Sequence, residues 1–143
     1  MTGETLRDRL AIADLLAACT QAGDARKADA YAACFAEDGV LQLDEAIAGR
    51  AAIRAWMGGA SIIPKPKNAA SPGFVSHHLT TCRIELAGDG TAKARTYWLV
   101  TSAAGLDHNG YYDDRFRKDG QAWLIVHRRP RTLWISPTSV LHG

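Results

Sequence analysis

The strongest constraint on this chain lies in its second half, where from Phe74 onward nearly every stretch reads as β-strand. The strand segments run roughly over residues 74–86, 91–103, 109–118 and 121–129, the last extended through "TLWI". "AGDGT" (87–91) and "KDGQ" (118–121) carry the glycines that hairpin turns use for positive φ, whereas "SAAGLDHNG" reads as a looser connection. A meander of four long antiparallel strands has to bury one face, and the cover must come from the residues that precede it.

Those residues read as helices. From Thr5, the positions Leu6, Leu10, Ala13, Ala17 and Thr20 recur at steps of three and four, and Ile12, Leu15, Leu16 and Cys19 widen the stripe. The pattern predicts a first helix, buried over most of its surface, ending near Gly23-Asp24. A second helix is expected over about residues 27–36, stopped by "EDG" (37–39), with a short strand "VLQL" after it. Gly49 precedes a third helix, "RAAIRAWMG", and a Gly-, Pro- and Lys-rich segment (58–73) reads either as a lid or as a surface insertion. The expectation is α+β: three helices, then a four-strand meander, packed as one domain over residues 1–143.

Composition narrows the function. A net charge of +2 gives no support to a nucleic-acid partner, and the basic run "HRRPR" (127–131) is short and follows an apolar strand. Cys19, Cys34 and Cys82 are odd in number and lack a C-x-x-C pair, which argues against a disulfide framework or zinc site and fits a reducing cytoplasm. The N-terminus reads as a helix, not as a signal peptide or membrane span. No G-x-S-x-G elbow, phosphate-binding glycine loop or His-x-x-x-His pair occurs, so neither a metal nor a cofactor is expected.

The residues that could carry chemistry each have a plainer reading. Adjacent His77 and His78 point to opposite faces of a strand. On an unbulged strand His78 shares a face with Cys82, Ile84 and Leu86, the more core-like set, and this parity favours His78 as the inward one. Asp24 could simply cap the second helix, although Lys27 stands where a reciprocal capping box would need Glu or Gln. Tyr31, Trp56, Phe74 and Trp98 could wall a pocket or merely pack a core. Tyr112 and Asp114 could add polar lining by alternation. Arg128 and its rival Arg129 could be solvated strand-end cations.

The order of elements, with "GDARKADAYAACFAEDGVLQL" (23–43), "GRAAIRAWM" (49–57), "HHLTTCRIEL" (77–86) and "GYYDDRFRKDGQAWLIVHRR" (110–129), resembles the nuclear transport factor 2-like superfamily and, within it, the SnoaL-like group. That group includes polyketide cyclases, scytalone dehydratase and hexachlorocyclohexane dehydrochlorinase. The resemblance covers nearly the whole chain. It implies a cone-shaped α+β barrel, a bent sheet wrapped around the first helix with a deep, mostly apolar cavity. It further implies a cavity-facing aspartate at the end of that helix, which is Asp24 here. A histidine follows six residues before the Arg of "RIE", which selects His77, and an arginine five residues after Trp123, which selects Arg128.

An Asp-His pair in an apolar cavity suits proton abstraction, because the carboxylate fixes the imidazole tautomer and leaves the other ring nitrogen as a base. The resemblance therefore implies a cofactor-independent lyase or isomerase, dehydratase- or dehydrohalogenase-like, acting on an apolar cyclic small molecule. Arg128 would steady a developing charge, and His78, Tyr31, Trp56, Phe74, Trp98 and Tyr112 would contact substrate. The alternatives are a non-catalytic binding or assembly module like the small subunit of ring-hydroxylating dioxygenases, a polyketide cyclase, or an epoxide hydrolase. A homodimer or homotrimer is expected through the outer sheet face, carried by Trp98, Trp123 and Trp134, with no nucleic-acid or membrane partner.

Overall fold

A computed structural model describes residues 2–59 and 75–142. Helix α1 spans Gly3–Asp24 and starts at Thr2, whose hydroxyl accepts the Thr5 N–H at 3.1 Å. It ends in a paired-bond cap, in which Lys27 N–H donates to the Ala22 carbonyl at 2.9 Å and Arg26 N–H to that of Gly23 at 3.0 Å. Arg26 takes the left-handed conformation (φ 57°) that this cap requires. Asp24 is thereby fixed as the last helical residue. The buried stripe of α1 is Ile12, Leu16, Cys19 and Ala22, narrower than expected, since Leu6 and Leu10 are 51% and 62% exposed.

Helix α2 (Ala28–Ala33) stops earlier than its pattern suggests, because Phe35 already pairs with Ile125 in the sheet. Strand β1 therefore covers Phe35–Gln42, and "EDG" is an irregularity inside it, not a turn. Gly39 sits at this irregularity so tightly that a Cβ would lie 2.9 Å from the carbonyl oxygens of Ala36 and Ile125. A three-residue strand β2 (Ala46–Ala48), absent from the sequence reading, pairs antiparallel with β1. Helix α3 (Arg50–Gly58) buries Ile53 and Met57.

The meander follows as β3 (Val75–Leu86), β4 (Thr91–Ser102), β5 (Gly105–Asp119) and β6 (Ala122–Ile135), then a short 3-10 turn, Val140–His142. The segment "SAAGLDHNG" is not loose: Ser102 pairs with Gly105 across a two-residue turn, and β5 begins there. The sheet order is β2-β1-β6-β5-β4-β3, with β1 parallel to β6 and the other pairs antiparallel, so the sheet is mixed and open-ended. Its inner face and the helices enclose a core around Phe35, Phe116, Ile12, Leu16 and Ile125. Among the described residues, no helix is long and apolar enough to cross a membrane.

Two of the three tryptophans expected on the outer face are inside. Trp98 is 5% exposed and lies on the buried alternation of β4, while Trp123 is 6% exposed and its indole N–H donates to Asp8 of α1 at 2.9 Å. Trp134 does lie exposed. The burial of Trp98 depends on Gly110 beside it, where a Cβ would meet the Arg131 carbonyl oxygen at 1.9 Å and the Trp98 ring at 2.7 Å. Gly110→Ala is therefore expected to destabilise the fold by about 1–3 kcal/mol, as overpacking does, measured by urea unfolding. Unchanged stability would mean that the strand can move aside at no cost.

Candidate active site

The end of α1 and the start of β3 meet through one carboxylate. Asp24 Oδ2 accepts the backbone N–H of His77 at 2.8 Å, and Oδ1 lies 2.7 Å from His77 Nδ1. Asp24 caps nothing, because the residue preceding α2 is Lys27 and it makes no side-chain cap. With a carboxylate on Nδ1, the neutral ring carries its proton there and Nε2 is the free lone pair. Both side chains are about one-fifth exposed, 22% for Asp24 and 20% for His77, within a cavity of about 840 Å³.

The strand parity that favours His78 fails at a bulge. Leu79 pairs with Trp98 and Cys82 with Thr96, so β3 carries one extra residue between them. That extra residue puts His77 and Leu79 on the same face as Ile84 and Leu86. His78 instead turns outward, exposed, and its Nε2 reaches the Thr101 hydroxyl at 3.1 Å. It does not border the cavity, which removes it from the expected substrate contacts.

Tyr31, Trp56, Trp98 and Tyr112 all line the cavity, with Leu41 and Met57 among its apolar neighbours. Phe74 and most of the 58–73 segment lie outside the described residues. Burial pushes the phenols of Tyr31 and Tyr112 well above their ordinary range, so both stay neutral hydrogen-bonding groups. Arg129 also borders the cavity but stays exposed, whereas Arg128 is buried there. Its Nε and Nη2 grip Asp114 at 2.8 and 2.9 Å, Nη1 reaches Cys19 Sγ at 3.4 Å, and the guanidinium lies 3.9 Å over the Tyr112 ring. Burial works against the charge, but the Asp114 carboxylate outweighs it and holds the guanidinium protonated. At 2% exposure Arg128 is a fixed support for Tyr112 more than an open donor to ligand.

Sequence reasoning missed a second imidazole. His108 faces the same cavity, with its ring 6.3 Å from that of His77 and 5.5 Å from that of Trp98. Its Nδ1 lies 2.6 Å from Asp107 Oδ2, although neighbours on a strand normally point apart. Here too a bulge intervenes: Val100 pairs with His108 and Thr101 with Leu106, so Asp107 is the extra residue and both side chains turn inward. Asp107 is fully buried and also accepts from Ser102, Ser139 and the Val140 N–H. Burial pushes its carboxyl up, but the bonds from Ser139, Val140, His108 and Ser102 outweigh that and hold it well below the usual range. Carrying the Tyr112 and Asp114 alternation back through Gly110 to His108 was the available signal. Among the described residues, no three His, Cys, Asp or Glu side chains are grouped to hold a metal ion.

The SnoaL-like domain model matches residues 4–129, most of the chain. This protein belongs to the SnoaL-like domain family. Its fold is similar to a protein of unknown function from Mycobacterium tuberculosis, with 28% identity over 92% of this chain and 75% of the other and a TM-score of 0.76. A candidate scytalone dehydratase from Novosphingobium aromaticivorans shows 21% identity over 95% and 91% of the two chains at TM-score 0.78. The LinA-type3 hexachlorocyclohexane dehydrochlorinase from Novosphingobium barchaimii shows 16% identity over 93% and 91% at TM-score 0.76. At these identities the latter two establish shared fold. No curated protein matches the sequence.

Two outcomes follow from this SnoaL-like site. Asp114→Ala leaves the Arg128 guanidinium buried and unpaired, so unfolding free energy should fall by about 3–5 kcal/mol in denaturant titration. Asp107 has a folded pKa below its unfolded value, so its contribution is full above the ordinary carboxylate range, about pH 4, and is lost as pH falls further. The stability gap between the native chain and Asp107→Asn should accordingly narrow on acidification below that range; a pH-independent gap would show that the carboxylate charge is not what matters.

Proposed function

We propose that this SnoaL-like protein is a lyase or isomerase that uses no cofactor and takes a proton from an apolar, cyclic small molecule, with the Asp24-His77 pair as base. The observation that carries the reading is the double grip of Asp24 on the backbone N–H and ring Nδ1 of His77, at a cavity of about 840 Å³. Nothing in the protein hydrogen-bonds to His77 Nε2 among the described residues. That atom is the acceptor for a C–H proton next to a carbonyl or a leaving group.

His108 extends the reading from proton abstraction to elimination. His77 Nε2 takes the proton, the C–H electron pair becomes the new C=C bond, and the C–O bond breaks towards the leaving oxygen. A protonated His108, its charge balanced by the Asp107 carboxylate, gives its Nε2 proton so that this oxygen departs as water, and the ring is left neutral with its proton on Nδ1. A halide would leave without that proton. The aromatic side chains Trp56, Trp98 and Tyr112 offer flat surfaces to a ring system, and Arg128 keeps Tyr112 in place.

The test is a panel of cyclic alcohols, cyclic halides and β-hydroxyketones, scored for loss of water or halide or for double-bond migration. On a turned-over compound, His77→Gln and Asp24→Asn should each lower kcat by about 10²–10⁴-fold, the usual worth of a positioned base, with the fold retained by circular dichroism. His78→Gln should leave turnover unchanged. Full activity in a folded His77→Gln protein would remove the base assignment.

A further inference from the structure

The C-terminal turn is tied to the cavity through a single buried side chain. Asp107 Oδ2 receives the Ser139 hydroxyl and faces His108 Nδ1 at 2.6 Å; Oδ1 receives the Ser102 hydroxyl at 2.7 Å and the Val140 N–H at 2.9 Å. The backbone carbonyl of Asp107 also accepts the Ser136 N–H at 2.8 Å. The turn is closed on itself as well, by His142 Nε2 to the Ser136 carbonyl and by Leu141 N–H to the Ser139 hydroxyl, each at 3.0 Å. Leu141, in the same turn, borders the cavity. Two of the four side-chain bonds to this carboxylate thus come from a segment that lies outside the sheet altogether.

We propose that Asp107 is a positioning residue through which the C-terminal turn, residues 136–142, sets the tautomer and direction of the His108 imidazole. A carboxylate has enough lone pairs to accept all four bonds, but only in one orientation, and that orientation is fixed by Ser139 at Oδ2 and by Val140 and Ser102 at Oδ1. With Asp107 so held, His108 carries its neutral-state proton on Nδ1 and leaves Nε2 for the cavity. Without the bonds from the turn the carboxylate can rotate, and the ring loses the partner that selects this tautomer. The turn is therefore part of the site and not merely a trailing end. The proposal rests on the reading of the cavity as a place of proton transfer, since only there does the His108 tautomer have a chemical consequence.

The experiment reads imidazole ¹⁵N shifts and ring-proton correlations in the ¹⁵N-labelled full chain, with no substrate present. It therefore stands or falls separately from any turnover assay. In the native protein, at a pH alkaline enough for both rings to be neutral, His77 and His108 should each show the Nδ1-protonated tautomer. Ser139→Ala combined with Val140→Pro removes both bonds from the turn, and proline is tolerated at the first position of a helical turn. In this variant His108 should lose the Nδ1-protonated form as its main species, while His77, held by Asp24, keeps it. If the double variant does not fold, Ser139→Ala alone is judged by the same criterion. An unchanged His108 signature in the folded variant overturns the proposal, because the sheet alone would then position the ring. So does an equal change at His77 and His108, which would report general loosening.

Discussion

A carboxylate at the C-terminal end of a helix sits where the helix dipole disfavours it, by about 0.3–1 kcal/mol at exposed sites. Asp24 occupies that position at the end of α1, and His77 offsets the cost with a backbone N–H and a ring nitrogen. The rest of the site depends on this junction. It holds the end of α1 to edge strand β3, which among the described residues has a hydrogen-bonded sheet neighbour only on its β4 side. It also opposes His77 to His108 across one cavity. A helix ended by any common cap would have left the edge strand to find its place through side-chain packing alone.

Both imidazoles reach the cavity through irregularities in the sheet. In β3 the extra residue between Leu79 and Cys82 restores the apolar far end of the strand to the core without turning His77 outward. In β5 the extra residue is Asp107 itself, which allows an aspartate and the histidine next to it to share a face. A regular strand could present one of that pair, never both. The buried Arg128-Asp114 pair serves the same ends at the floor. Ion pairs of this kind are seldom the most stable filling for a core, and this one fixes an aromatic ring that an aliphatic replacement would leave free to tilt.

Periodicity and turn chemistry made the α+β class, the meander and the hairpin glycines legible. Asp24 and His77 were not legible from residue types, which favour a cap for the first and the outward position for the second; only the family resemblance pointed to the pair, and the structure brings the two side chains together. What the sequence hid follows from the period-two rule applied across bulges. His108 and Asp107 were lost because "SAAGLDHNG" contains a two-residue turn followed by a bulge, and polar small residues in that order resemble a loop. Trp98 and Trp123 were assigned outward because aromatic residues suit interfaces, yet Trp98 falls on the inner alternation of β4 and Trp123 is drawn in by Asp8. "EDG" looks like a turn in sequence because its glycine marks a close backbone approach, and close approach and turning use the same residue.

The strand order carries a consequence for the time at which this cavity comes into being. β6 is last of the strands in chain order but lies inside the sheet, between β5 and β1, where Leu41 pairs with Arg128. As the chain leaves the ribosome, the β3-β4-β5 meander can zip up locally, but β1 and β2 wait with an unmatched edge until residues 125–128 have emerged. Closing so long a span is an entropic cost met only near the end of synthesis, which makes for slow folding and a prolonged open edge. For a protein of this topology, the interval most exposed to aggregation is therefore the translation of its last strand, and codon choice over that strand is a lever on yield that leaves the folded molecule unchanged.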